Sequence, residues 1–150
     1  MLAHNRRRIL VVNPNSNEVV TRGLEAALTP VAFQDGPEII CETLKEGPLG
    51  IETQAHVDGV ALPLRALVES RDDVDAFVIA CYSDPGLSGC REATTRPVFG
   101  INEAGVLSAL APGRTVRRHR HCARPRFVAT CATCASSGSR GASPVSAHSI

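Results

Sequence analysis

The sequence predicts an α/β protein with one parallel sheet of about four strands and helices on both faces, as in a Rossmann-like lobe. Short apolar runs rich in β-branched residues alternate along the chain with segments whose apolar residues recur at helical spacing. Their order is β-α-β-α-β-α-β-α. Because crossovers between parallel strands are right-handed, this order folds into one sheet covered on both sides.

Four apolar runs are the predicted strands. The first, residues 8–13, reads Arg-Ile-Leu-Val-Val-Asn and is typical of a buried strand. The second, residues 39–44, lies between two Gly-Pro pairs that indicate turns. The third, residues 75–80, leads directly to Cys81, and the fourth is the short run 97–100. All four therefore have the length and composition of strands in a parallel sheet.

Helices are predicted between these strands. Ser16 or Asn17 can cap the first helix, and Pro30 ends it. Residues 54–69 carry a long helical pattern that Pro63 must bend or restart. The remaining helices are predicted at residues 87–93 and 102–110.

The composition indicates a water-soluble domain of ordinary size. Hydrophobic residues make up 43% of the 150 residues and aromatic residues only 3%, so the core must consist of Val, Ile, Leu and Ala. No apolar run approaches the length that a membrane helix needs. Arg6–Arg8 precede only four apolar residues, too few for a signal peptide. We therefore expect a cytoplasmic protein whose six cysteines are thiols.

Charge divides the chain at residue 112. Residues 1–112 hold nine Lys and Arg and all fifteen acidic residues, whereas residues 113–150 hold seven Arg and no acid. The net charge of +1 therefore conceals a value of −6 before the division and +7 after it. We predict a folded lobe over residues 1–112 and a basic tail rich in Arg, Ser, Ala and Cys over residues 113–150.

Polar residues follow the first and third predicted strands. Asn13, Asn15 and Ser16 offer amide and hydroxyl donors beside a helix start, which suits an anion such as a carboxylate. Ordinary capping and turn chemistry explains part of this pattern as well. Residues 81–84 end the third strand, and ligands in such folds bind beyond the carboxyl ends of strands. Both loops are therefore expected in one crevice.

Three cysteines precede the tail. Cys81 stands where a strand gives way to a helix, and it could be a nucleophile, an acid/base thiol or a small packed side chain. Cys41 and Cys90 are predicted to be core residues. A Cys-His hydrolase would have to use His56, for which the sequence shows no positive sign. Glu52 lies at another loop and is interpreted as solvated.

Three motifs resemble one known family. Residues 9–16, Ile-Leu-Val-Val-Asn-Pro-Asn-Ser, look like the amino-terminal motif of the aspartate/glutamate/hydantoin racemase superfamily. Residues 80–87, Ala-Cys-Tyr-Ser-Asp-Pro-Gly-Leu, with residues 91–93 and 97–104, look like its first catalytic segment. Residues 47–52 fit its hydantoin or allantoin racemase branch. The resemblance covers residues 8–112 in chain order.

The resemblance implies a cofactor-independent racemase with no metal. In this family two thiols flank the substrate Cα, one removing a proton and the other returning one on the opposite face. Cys81 matches the first thiol, and the second comes from a second lobe. The implied substrate is an amino acid, a hydantoin or a related carboxylate or amide. A homo-oligomer is compatible with the resemblance, and no membrane partner is expected. The implied substrate-binding residues are Asn13, Asn15, Ser16, Ser83 and Asp84.

The tail, residues 113–150, does not continue the resemblance. Clustered arginines would fit a nucleic-acid-binding arm, although we do not expect that partner. His119, His121, Cys122, Cys131 and Cys134 would fit a zinc site, but a single CxxC pair is weak support. A wrong reading frame is the third interpretation.

The genetic code favours the third interpretation. When the reading frame is moved one base forward, the codons that can encode residues 114–124 can also encode Glu-Arg-Phe-Gly-Val-Ile-Ala-Ile-Ala-Arg. That sequence is typical of an apolar strand. We therefore expect the tail to be disordered and out of frame, and the chain as written to lack the second lobe and two-thiol activity. The alternative functions are a non-catalytic lobe that binds small carboxylates and a basic-tailed nucleic-acid-binding module.

Overall fold

The computed structural model describes residues 6–112 and, for the backbone alone, 120–121 and 124–125. The predictions of a disordered tail, a zinc site and a nucleic-acid arm therefore lie largely or wholly outside the described residues. Within residues 6–112 the order of elements is the predicted one. The strands are β1 (Arg8–Asn13), β2 (Glu38–Thr43), β3 (Ala76–Ile79) and β4 (Val98–Gly100). The helices are α1 (Glu18–Leu28), α2 (Gln54–Gly59), α3 (Ala61–Ser70), α4 (Leu87–Ala93) and α5 (Ile101–Leu110).

The four strands form one parallel sheet in the order β2-β1-β3-β4. The fold-class prediction of an α/β lobe is therefore confirmed. Beyond this lobe, the backbone of β5 (Arg120–His121) pairs antiparallel with that of β6 (Arg124–Pro125) as a separate ladder. The strands that precede the predicted site loops, β1 and β3, both belong to the parallel sheet.

Local sequence explains where the helices begin and end. Asn17 caps α1, since its side chain accepts a hydrogen bond from the Val19 N–H. Pro30 lies in a 3₁₀ turn that follows α1, as its lack of an N–H requires. The predicted helix over 54–69 is two helices, and the break falls at Val60. Pro63 lies in the first turn of α3, where no intrahelical N–H is needed, so the proline restarts the helix as predicted.

One face of the sheet is sealed by apolar packing. Leu10 and Val12 of β1 lie on this face with Phe77 and Ile79 of β3, and all four are fully buried. They pack against α3 and α4 through the buried side chains of Leu64, Val68 and Cys90. The prediction that Cys90 is a core residue is confirmed. This core holds the carboxyl ends of β1 and β3 in place.

Helix α1 packs on part of the opposite face and is joined to it by a series of buried side-chain hydrogen bonds. The Asn13 amide nitrogen lies 3.1 Å from Thr21 Oγ1, and the Thr21 hydroxyl also contacts the Thr43 hydroxyl. Asn13 is fully buried and Thr21 nearly so. Side chains on β1, α1 and β2 are therefore tied together by hydrogen bonds where apolar contact would otherwise be required.

Replacing Thr21 with valine should destabilise the fold by about 1–3 kcal/mol, because the buried Asn13 amide loses a partner and the Thr43 hydroxyl loses its own. Urea unfolding measures this loss. The matched control is Thr29→Val, which removes an exposed hydroxyl bonded to the Glu25 carbonyl after the same helix. Equal, small losses for both variants would contradict a stabilising role for the buried hydrogen bonds.

Candidate active site

The strand order places two polar loops side by side. Strand β1 lies between β2 and β3, so the chain leaves β1 toward one edge and later crosses back to β3 on its other side. Ligands of parallel sheets bind at the carboxyl ends of strands where the order reverses in this way. The Ala80 N–H donates to the Val12 carbonyl at 2.8 Å, so β1 and β3 stay paired up to the crevice.

The loop after β1 uses several of its own amide groups to fix its shape. The Asn13 side chain donates toward Asn15 Oδ1, the Asn17 carbonyl and Thr21 within 3.0–3.1 Å. Asn15 Oδ1 also accepts from the Asn17 N–H at 2.9 Å. The Asn13 side-chain amide nitrogen is therefore used in hydrogen bonds that hold the turn. Within the described residues, Asn15 Nδ2 and the Ser16 hydroxyl have no protein partner and are the donors left for a ligand.

A second loop supports this turn from outside. The Ser16 N–H donates to the Pro48 carbonyl at 2.9 Å. At Gly47 an added Cβ would lie 2.4 Å from the Pro14 carbonyl oxygen, so only glycine allows the two loops to approach this closely. Residues 47–52 are thus part of the wall of the crevice. His56 Nδ1 accepts from the Glu52 N–H at 3.2 Å and so holds this loop in place.

The loop after β3 presents the thiol. Cys81 is half-buried, and its Sγ lies 3.3 Å from the Ser83 hydroxyl oxygen. The Cys81 carbonyl accepts from the Asp84 N–H at 3.0 Å, which closes a turn over residues 81–84. Two of the predicted site residues, Cys81 and Ser83, are therefore brought into contact. A hydroxyl at this distance can donate to a thiolate.

Asp84 has a different environment from the one expected of a substrate ligand. Its Oδ1 accepts from the Asn102 N–H at 3.0 Å, and its Oδ2 accepts from the Glu103 N–H at 2.8 Å. Both oxygens therefore cap the amino terminus of α5. Its predicted contact with substrate stays a prediction, whereas its capping of α5 has no local sequence signal, because the partners lie 18 and 19 residues away.

The other two described cysteines are poorly suited to proton transfer. Burial raises the pKa of the fully buried Cys90 thiol to about 11. Burial and the nearby Glu25 carboxylate raise the pKa of Cys41 as well. Cys41 is half-buried on β2, so its prediction as a full core residue is wrong. Cys81 is the remaining candidate among the cysteines of residues 6–112.

A wide groove lies elsewhere, along the outer edge of β2. Its volume is about 900 Å³, and it is lined by side chains of both charges, among them Glu25, Glu42 and Arg71, together with Cys41. None of the residues predicted for the active site lines this groove. The Cys81 thiol and the Asn15 and Ser16 donors lie instead at the strand ends, where the sequence predicts the site.

Residues 6–112 contain no group of three His, Cys, Asp or Glu side chains placed to hold a metal ion. In the same part of the chain, no helix has the length and apolar character needed to cross a bilayer.

Comparison with known proteins fits this geometry. Residues 9–117 match the profile of the Asp/Glu/hydantoin racemase family. The chain belongs to this family. The hydantoin racemase of Pseudomonas sp. (strain NS671) is 40% identical over 106 residues, and that of Paenarthrobacter aurescens is 37% identical over 102 residues. These alignments cover 68% and 66% of this chain, and 41% and 43% of the relatives.

Solved structures extend the likeness to three dimensions. Allantoin racemase from Klebsiella pneumoniae aligns with a TM-score of 0.65 and 34% sequence identity, over 70% of this chain and 43% of that one. Allantoin racemase from Pseudomonas fluorescens aligns with a TM-score of 0.64 and 30% identity, over 69% and 44%. The resemblance predicted from sequence is therefore confirmed. The chain spans less than half the length of the relatives it matches.

The environments of the cysteines predict selective chemistry. At about pH 8, iodoacetamide should alkylate Cys81 in the folded chain and leave Cys90 unmodified, because Cys90 is buried and its pKa is raised. Mass spectrometry of the separated peptides measures each site. In denaturant both cysteines should react alike. Alkylation of Cys90 at the rate of Cys81 in the native chain would contradict this assignment.

Proposed function

We propose that this chain supplies one proton-transfer half of a cofactor-independent racemase. The reaction takes place at the Cα of a hydantoin, an amino acid or a related amide, with Cys81 as base. The observation that carries the proposal is the half-buried Cys81 thiol, 3.3 Å from the Ser83 hydroxyl at the reversal point of the sheet. Membership of the racemase family supports the choice of reaction.

In the proposed step the Cys81 thiolate removes the proton from Cα. The electron pair of the broken C–H bond moves into the adjacent carbonyl and forms an enolate. Such a step requires hydrogen-bond donors at the oxygen where the charge develops. Asn15 Nδ2 and the Ser16 hydroxyl, across the crevice, are proposed as these donors. Ser83 is proposed to donate to the thiolate before it takes the proton.

Inversion needs a second acid on the other face of the enolate. Within residues 6–112 the remaining thiols are Cys41 and Cys90, whose pKa values are both raised. We therefore propose that the second thiol comes from outside these residues, and that the 150-residue chain alone does not racemise by the two-thiol route. The length of the relatives, more than twice the matched segment, supports a second lobe as its source.

A single base still leaves a measurable reaction. In D₂O the chain should exchange the Cα proton of one enantiomer of a 5-alkylhydantoin for deuterium without inverting it, because Cys81 returns the deuteron to the face it deprotonated. Proton NMR follows the exchange, and chiral chromatography follows the inversion. Cys81→Ser should slow the exchange by about 10²-fold or more, as expected for loss of a positioned base.

Cys41→Ser is the matched control, since it removes a thiol outside the crevice and should leave the exchange rate unchanged. Racemisation by the pure chain would contradict the single-thiol proposal. Absence of exchange, with the hydantoin still protecting Cys81 from alkylation, would support the alternative of a non-catalytic binding lobe.

A further inference from the structure

We propose that Asp84 is a positioning residue that holds the Cys81 turn against α5, and that Gly100 provides the space its carboxylate needs. The proposal rests on the proposed role of Cys81 as base. It assigns Asp84 no contact with substrate. We call the Asp84 carboxylate, the Asn102 and Glu103 N–H groups and Gly100 the α5 clasp.

The Asp84 carboxylate lies in close contact with both α5 and Gly100. The Asp84 carboxylate accepts from both N–H groups at 3.0 and 2.8 Å. A Cβ built on Gly100 would lie 2.3 Å from Asp84 Cγ and 2.5 Å from each of its oxygens. Any other residue at position 100 would therefore displace the carboxylate. The aspartate and the glycine form a matched pair across 16 residues of chain.

The backbone of Asp84 is also unusual. Its φ of 43° lies in the left-handed region, which Asp and Asn enter more readily than most residues. Such a conformation persists only when surrounding contacts enforce it. The two hydrogen bonds to α5 are contacts of this kind. Loss of the side chain should release both the cap and the backbone conformation.

The turn is held on its other side as well. Gly86 has a φ of 64°, and an added Cβ there would lie 2.9 Å from the Ala61 Cα at the start of α3. Pro85, between the two held residues, is fully buried. The segment carrying Cys81 is therefore fixed between α3 and α5. Of these contacts, the α5 clasp lies nearer to Cys81, since the Asp84 N–H closes the turn on the Cys81 carbonyl.

This arrangement also stabilises the negative charge of Asp84. Here the negative charge faces the amino terminus of a ten-residue helix, where the helix dipole and two N–H groups stabilise it. Asp84 therefore orders the turn with its charge directed at α5. Since small displacements of a reacting group cost large factors in rate, this order should matter for catalysis.

The test compares four single variants of the full chain and the double variant that combines Asp84→Ala with Gly100→Ala. Asp84→Ala removes the clasp, Asp84→Asn keeps one acceptor oxygen, and Gly100→Ala displaces the carboxylate. Gly105→Ala is the control, because it lies in the same helix and its added Cβ meets nothing within 4 Å. Deuterium exchange at the Cα of a 5-alkylhydantoin gives kcat and KM. Mass spectrometry measures the alkylation rates of Cys81 and Cys90. The rate at Cys81 reports whether the turn is ordered, and the rate at Cys90 reports whether the core is intact.

We expect Asp84→Ala and Gly100→Ala each to lower kcat about 10-fold or more with little change in KM. The kcat of Asp84→Asn should lie between that of these variants and that of the parent chain. Because both changes break one clasp, the double variant should be no slower than the slower single variant. Cys81 should be alkylated faster in Asp84→Ala, since its turn opens, while Cys90 stays protected. Gly105→Ala should match the parent chain in every measurement.

A raised KM with unchanged kcat would overturn the proposal in favour of a substrate contact by Asp84. Unchanged kcat and unchanged Cys81 alkylation would overturn it outright. A parallel rise in Cys81 and Cys90 alkylation in both Asp84 variants would also overturn it, by showing general loss of fold. If the parent chain exchanges no deuterium, the proposed function fails, and the ratio of Cys81 to Cys90 alkylation still decides whether the clasp holds the turn.

Discussion

The parallel pairing of β1 with β3 is the constraint on which the site depends. It runs from Ile9 opposite Ala76 to Val12 opposite Ile79, and the Ala80 N–H continues it by one further bond. Residues far apart in the chain, the Asn13–Asn17 turn and the Cys81 turn, are adjacent only because of this ladder. The ladder in turn depends on the sealed core beneath it, whose apolar side chains alternate along both strands. The positions of the two turns are thus set by packing in the core, which includes Val12 and Ile79 next to them.

The parts of the structure that were predictable are those encoded by neighbouring residues. The β-branched run at 8–13 and the Asn17 cap depend on contacts within a few positions, and both occur as expected. Position at a strand end made Cys81 only a candidate, and the resemblance to the racemase family was needed to predict it as the base. Asp84 differs, because its role is defined by N–H groups of a helix that only the folded sheet brings near. No local sequence pattern marks Gly100, because glycine is required there by the position of the Asp84 carboxylate.

The amide-rich turn after β1 shows why residue type alone overstates a binding site. Three asparagines in five positions suggest a cluster of ligand donors. In the structure the side chain of Asn13 is buried, and Asn17 caps α1, so most of this hydrogen-bonding capacity maintains the turn. Buried polar groups require partners, and the turn supplies them internally. What remains for a ligand, Asn15 Nδ2 and the Ser16 hydroxyl, is a small and directional set of donors.

The two faces of β4 differ in burial. Val98 is buried in the sealed core, whereas Phe99, on the other face, is 51% exposed, and no residue of α5 is buried within the described part of the chain. The turn after β3 is held from the sealed face through Gly86 and from α5 through Asp84. Cys81 is therefore held in place by contacts within residues 6–112, whereas we propose that the second acid comes from outside them.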